Sequence, residues 1–316
     1  STMTEQLKLK LNDSKATRWG ALVIVAFTMM AAYYVNDVVA PLKTMLETDL
    51  AWSSTDFGFF TGGYSFLNLF FLMLIWGGLI LDRFGIRFTG KLATILMVGG
   101  TALEYYAMTG LAGADATLFG INEIFGYKTG VFVAFAGYSI FGVGAEVAGI
   151  TVSKIIAKWF KGKELATAMG VQVALARIGS QAGYAVAIPL ARAFGISTPV
   201  LLGLVLLLGG MIAFFIFAVM DKKLDKQMEA AAIAAGTEDE EEKFSFKDVK
   251  NILVNPGFWL IALLCVLFYS CVFPFQKFAS ELMIIKYGIN ENVAGTFAGL
   301  PALGALILTP VFGGFI

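Results

Sequence analysis

Eight apolar runs, each about as long as a helix needs to cross the ~30 Å hydrocarbon core of a bilayer, dominate this chain. They lie at about 19–40, 55–81, 88–111, 129–158, 165–190, 198–220, 256–284 and 293–316. In lipid every backbone N–H and C=O must find its partner inside the protein, so runs of this length become helices. The expected fold class is an all-α polytopic membrane protein. Composition agrees: 58% of residues are hydrophobic and 15% charged, against roughly 25% charged in a soluble domain. The 29 phenylalanines and 35 glycines suit aromatic anchoring at lipid interfaces and close helix packing.

The sequence contains no histidine. His-based triads, imidazole metal sites, His-ligated haem and histidine pH switches are thereby excluded. Cys265 and Cys271 share one apolar run and have neither disulfide nor zinc spacing. No nucleophile motif, metal set or cofactor motif stands out, so the expectation is a non-enzyme without cofactor or metal, and without nucleic-acid binding. Ser1-Thr2 ahead of Met3 read as an appended remnant. Trp19 to Ala40 is too long for a signal peptide and lacks a small-x-small cleavage site.

The Lys and Arg residues set the orientation. With the N-terminus inside, the cytoplasmic side holds 16 of them and the opposite side four: Lys43, Lys128, Arg192 and Lys286. That asymmetry satisfies the positive-inside rule. The division expected is a cytoplasmic segment over 1–18, a six-helix bundle over 19–220, a cytoplasmic linker over 221–253 and the start of a second bundle over 254–316. The acidic run Glu238 to Glu242 reads as part of a solvated linker.

Between the second and third runs stands Gly78-Leu79-Ile80-Leu81-Asp82-Arg83-Phe84-Gly85-Ile86-Arg87. Gly85 is placed to turn the chain sharply. The order G-x-x-x-D-R-x-G-x-R resembles the loop motif of the major facilitator superfamily, although Ile86 takes the first basic place after the glycine. The resemblance implies a fold of two six-helix bundles, with eight of an expected twelve helices in this chain. It also implies a conformational latch formed by Gly78, Asp82, Arg83, Gly85 and Arg87. In such a fold the substrate site lies between the bundles near the midplane.

Charges inside apolar runs are costly and tend to face a cavity or a partner. Glu146 in the fourth run and Arg177 in the fifth are equidistant from the turn at Lys161-Gly162. Each lies about 12 residues past its helix end, roughly 18 Å at 1.5 Å per residue. The two therefore sit at matched depth near the bilayer centre. Either they neutralise each other as a static pair, or they form a site for a solute carrying both charges, with Arg177 gripping a carboxylate bidentately and Glu146 an ammonium. Asp37 follows Tyr33, Tyr34 and Asn36 towards the outer end of the first run, as a gate, a ligand or an interfacial residue. Glu104 has no evident partner, and Lys154 is near enough to its helix end to snorkel. Lys277 and Glu281 have the i,i+4 spacing of a pair on one helix, with Tyr269 preceding them.

Two longer stretches are more specific. The first runs Phe141-Gly142-Val143-Gly144-Ala145-Glu146, then Trp159-Phe160-Lys161-Gly162-Lys163-Glu164-Leu165, Gln172 and Ala176-Arg177-Ile178-Gly179-Ser180. The second comprises Phe258-Trp259-Leu260, Cys265, Val272-Phe273-Pro274-Phe275 and Pro310-Val311-Phe312-Gly313-Gly314. Both resemble the superfamily branch that holds an animal lysosomal dipeptide uniporter and bacterial relatives. The resemblance implies that Glu146 and Arg177 contribute to a dipeptide site, and Asp37 matches an acid of the family's first span. Two places depart from the branch: Val152-Ser153-Lys154 replaces a polar Gln-Asn-Thr stretch, and Tyr138 replaces an arginine.

The function expected is secondary transport of a small zwitterion, dipeptides foremost, by alternating access. The candidate binding residues are Glu146, Arg177, Asp37, Tyr33, Tyr34, Gln172, Tyr269, Phe275 and Lys277. An organic-anion carrier is the alternative within transport, and a non-transporting receptor of transporter fold the alternative outside it. The partners expected are a small-molecule substrate and the lipid bilayer. Protons are a candidate co-substrate, since Asp37, Glu104 and Glu146 could each carry one, and an accessory subunit is left open. The expected location is the plasma membrane in a bacterium or the lysosomal membrane in an animal.

Overall fold

The computed structural model describes residues 9–236 and 246–313. Ser1-Thr2, the acidic run Glu238 to Glu242 and Gly314 lie outside the described residues. Helix α1 (Lys15–Val38) starts at Ser14, whose hydroxyl caps the Thr17 N–H at 3.4 Å. A 3-10 turn over Ala40–Leu42 and the short α2 (Lys43–Leu50) follow. Helix α3 (Ser54–Phe70) opens with a reciprocal capping box between Ser53 and Asp56, a device worth about 1 kcal/mol. Then come α4 (Met73–Thr109), a small hairpin of β1 (Glu123–Ile124) and β2 (Tyr127–Lys128), α5 (Thr129–Trp159), α6 (Leu165–Phe194), α7 (Thr198–Ala235), α8 (Phe246–Val254), α9 (Pro256–Tyr287), α10 (Glu291–Ala298) and α11 (Leu300–Gly313).

Helix α4 contains a reversal. Gly85 has φ 80° and ψ 178°, a conformation that a Cβ would strain. Before it the chain runs parallel to α5, with Gly63, Tyr64 and Gly77 against Ser139, Gly142 and Val147. After it the order inverts, with Ala93, Gly100 and Leu111 against Gly144, Gly137 and Gly130. The motif glycine thus turns the second span into the third. The second span is itself broken: Leu72 takes a left-handed backbone, and α3 meets α4 at 58°.

By length and apolarity alone, five helices among the described residues can cross a membrane, or six if the bent pair of α3 and α4 is one span. Eight runs were expected. The difference lies in the third span, which is continuous with α4, and in α6, whose apolar face is interrupted by Gln172, Arg177, Gln181 and Arg192. The segment expected as a linker from residue 221 begins as helix. Helix α7 continues to Ala235 and is closed by Gly236 at φ 67°. The charges that begin at Asp221 do not end the helix.

Small residues bring the helices together, as is usual where lipid supplies no hydrophobic drive. A Cβ on Gly137 would lie 2.5 Å from the Gly100 carbonyl, and one on Gly179 would enter the Met30 backbone. Around these approaches Phe57, Phe60, Tyr138, Phe141, Trp159, Phe214 and Phe217 are fully buried.

The bundle has a near face, carrying Leu11, the Gly85 and Gly162 turns and α8, and a far face, carrying α2, the hairpin and the turns at Gly195 and Gly288. Helix α9 meets the earlier helices on its far-face half. There Lys43 pairs with Glu281, Arg192 with Glu291 and Asn292, and Tyr184 Oη donates to the Gln276 carbonyl at 3.3 Å. The rings of Phe57 and Phe278 meet edge to face, 5.7 Å apart. The near-face half of α9, from Phe258 to Phe268, is exposed apart from the half-buried Ala262.

Candidate functional site

The polar residues of the interior form two tiers, one or two helical turns apart. The deeper tier, near mid-depth, holds Tyr33 of α1, Tyr64 of α3, Glu146 of α5 and Arg177 of α6. Tyr64 Oη donates to Glu146 Oε1 at 2.8 Å. The Arg177 guanidinium lies over the Tyr33 ring, 5.7 Å from its centroid, a cation–π contact. Glu146 and Arg177 are both half-buried, and no ion pair joins them. The static pair that the spacing allowed is therefore absent. Among the described residues Glu146 accepts one hydrogen bond, from Tyr64, and Arg177 makes none.

The second tier lies towards the far face and holds Asn36, Asp37, Glu104, Tyr138, Ser180 and Lys277. Ser180 Oγ donates to Asp37 Oδ2 at 2.5 Å and Asn36 Nδ2 donates to Oδ1 at 3.1 Å. Tyr138 Oη donates to the backbone carbonyl and side-chain oxygen of Asn36, both at 2.9 Å. Lys277 Nζ donates to the same carbonyl at 2.7 Å and to Tyr138 Oη at 2.9 Å, and lies 5.5 Å from the Tyr138 ring centroid. Glu104 is fully buried, and neither carboxyl oxygen has a hydrogen-bond partner.

Several candidates are re-assigned by these positions. Tyr34 turns away from both tiers: its ring packs against Gly203 and its hydroxyl donates to the Pro199 carbonyl at 2.9 Å. It is one residue from Tyr33, and one helical step of 100° puts it on the opposite side of α1. Lys277 does not pair with Glu281. Lys43 takes Glu281, and Lys277 crosses to α1 and α5. Spacing reads one helix, and here better partners lie on others. Tyr269 and Phe275 are exposed on α9, Tyr269 stacked on Phe273 at 5.0 Å. Gln172 is half-buried on α6, before Arg177. Tyr64, Asn36 and Ser180 were missed as site residues. A tyrosine and an asparagine within apolar runs were the available signals.

The motif residues lie on the near face. Asp82 faces Lys154 at 3.4 Å, both well exposed, so Lys154 reaches the interface as a snorkelling lysine would. Arg83 lies over the Phe84 ring at 5.6 Å, and Gly78 is half-buried. Arg87 donates to Asp221 at 2.8 Å and also pairs with Asp225. Lys158 binds both acids, and the Trp159 indole donates to Asp221 at 2.9 Å. Burial alone would raise the Asp225 carboxyl, but hydrogen bonds from Lys158 and Arg87 outweigh it and hold it below the usual range. Beside this network Glu164 accepts from the Trp19 indole at 3.0 Å and from Arg18 at 2.9 Å, which lowers its pKa to about 2.

No group of three or more Cys, Asp or Glu side chains poised for a metal occurs among the described residues. Over residues 22–316 the chain matches the sequence profile of the Major Facilitator Superfamily. It is 26% identical to the lysosomal dipeptide transporter MFSD1 of Homo sapiens over 312 residues, covering 94% of this chain and 61% of that protein. It is 26% identical to the Danio rerio protein of the same name, covering 92% and 60%. The chain thus spans about three fifths of these relatives' length. Among solved structures, a D-xylose-proton symporter superposes with a TM-score of 0.58 at 15% identity, over 93% of this chain and 67% of that one, a likeness of fold alone. A profile match over nearly the whole chain, the Gly85 reversal and this shared fold lead to one conclusion: the chain belongs to the major facilitator superfamily.

Proposed function

We propose that this chain carries the substrate site of a secondary transporter for small zwitterions, dipeptides foremost, working by alternating access. The observation that carries the reading is the deeper tier. Glu146 is held by Tyr64 and Arg177 by Tyr33, on different helices and without pairing, so a carboxylate and a guanidinium remain for a ligand bearing both charges. An amino acid or dipeptide backbone has that complement, and Arg177 offers the planar fork that suits a carboxylate. The relatives named as dipeptide transporters support the same substrate class. The excess of Lys and Arg on the near face supports a cytoplasmic N-terminus. With the far face held by Lys43–Glu281 and Arg192–Glu291, the arrangement corresponds to one closed on the extracytoplasmic side.

A second reading, an organic-anion carrier, is favoured by one contact: Tyr64 already satisfies one oxygen of Glu146, leaving Arg177 as the stronger handle. Uptake into proteoliposomes separates the two. Saturable uptake of dipeptides, competed by other dipeptides, is expected. Failure of a broad dipeptide panel alongside clear uptake of a dicarboxylate would replace the first reading with the second. Proton movement recorded in the same liposomes tests whether a proton accompanies the solute.

A further inference from the structure

We infer that the Asn36 carbonyl, the Tyr138 hydroxyl and the Tyr138 ring form a primary-ammonium cradle, occupied by Lys277 while the far face is shut and by the substrate's ammonium when it opens. The inference rests on the zwitterion reading for the identity of the second occupant.

The contacts of Lys277 describe the cradle. Its ammonium has two oxygen acceptors, at 2.7 and 2.9 Å, and an aromatic face at 5.5 Å. Carbonyl, hydroxyl and ring face are what any alkylammonium needs when it leaves water. The acceptors belong to α1 and α5, whereas Lys277 arrives on α9, which meets the earlier helices on its far-face half. The contact therefore exists only while α9 leans against α1. It adjoins the other far-face ties, Lys43–Glu281 and Tyr184–Gln276.

The charges of this tier explain why the cradle should not stay empty. Asp37 is buried and is hydrogen-bonded by Ser180 and Asn36, both neutral. Glu104 is fully buried with both oxygens unpartnered. Withdrawing Lys277 removes the cation from a tier that holds two buried acids and leaves two buried oxygen acceptors without their donor, and emptying such a buried polar site is costly. A ligand shifts a conformational equilibrium only by its differential affinity for the two states. A free ammonium finds the cradle vacant only in the far-face-open state, so it favours that state. A carboxylate without an ammonium gains nothing there. The second tier thus acts as an amine filter ahead of Glu146 and Arg177, with Lys277 as the tethered competitor.

Ser280 provides the reporter. It lies one turn beyond Lys277, is 1% exposed, and its hydroxyl has no partner, so Ser280→Cys sacrifices no hydrogen bond. With Cys265 and Cys271 replaced by serine, labelling of that cysteine by an impermeant maleimide in proteoliposomes reads opening of the far face. Millimolar ethylammonium and a dipeptide with a free amino terminus are expected to speed labelling, and the N-acetylated dipeptide is not. Lys277→Met is expected to speed labelling about fivefold or more, within the usual range of coupling, and to abolish the amine response. Thermal unfolding of Lys277→Met measured beside its parent serves as the folding control. Equal labelling of Lys277→Met and its parent, or equal responses to free and acetylated peptide, would overturn the inference. A response to ethylammonium without any response to dipeptides would sink the zwitterion reading and retain the cradle.

Discussion

Arg177 and Tyr33 meet as cation and ring, with 5.7 Å between the guanidinium carbon and the ring centroid, and no carboxylate among the described residues pairs with Arg177. An arginine placed in this way keeps its donors aligned in one plane without an internal partner using them.

Arg177→Lys should therefore remove most uptake while leaving the protein folded. A lysine keeps the charge but loses the fork and the stacking plane. Initial uptake rates measured beside thermal unfolding in detergent check this. Near-normal transport would take Arg177 out of the site.

Tyr64→Phe deletes the 2.8 Å bond to Glu146. A hydrogen bond to a charged group is worth about 1.5 kcal/mol, so the half-saturation concentration for a zwitterion should rise about tenfold. If the carrier takes organic anions, the freed carboxylate plays no part in binding and the same kinetics should show no such rise.

Asp221→Asn tests the near-face network. Asp221 has no exposed surface and accepts from Arg87, Lys158 and Trp159. Breaking a buried ionic cluster from one side costs about 3 kcal/mol. A clear fall in unfolding temperature is expected, while the equivalent change at half-exposed Asp225 should cost less.

Acid should leave the N-terminal tie intact for longer than an ordinary carboxylate allows. Glu164 has its pKa depressed to about 2 from a model-peptide value of 4.5 by the Trp19 indole and Arg18. A depressed pKa means that the contribution is fully present above 4.5 and is lost as pH falls through about 2. The indole fluorescence difference between wild type and Glu164→Gln should thus persist at about pH 3.5 and be lost as pH falls through about 2. Loss of the difference already by about pH 3.5 would show that the tie does not hold in solution.

The apolar runs made eight helical segments legible, and the motif made the Gly85 reversal legible, because both are written in local chemistry. The break at Leu72 was not, since Phe70-Phe71-Leu72 contains no residue that marks a turn. The extension of α7 beyond Met220 was hidden for another reason: charges show where water begins, and the helix continues into it. In the site, periodicity could put Glu146 and Arg177 at one depth. It could not show that Tyr64 occupies one and Tyr33 the other, because those partners come from helices far away in sequence. The same blindness produced the expected Lys277–Glu281 pair.

Helix α7 has 38 residues, about 57 Å at 1.5 Å per residue, against a bilayer core of ~30 Å. Its last turns therefore stand in water like a mast, stayed at the base by Arg87 and Lys158 through Asp221 and Asp225. Any tilt of α7 about that base therefore displaces its end at Ala235, from which the chain runs on towards α8 and α9, further than the base itself.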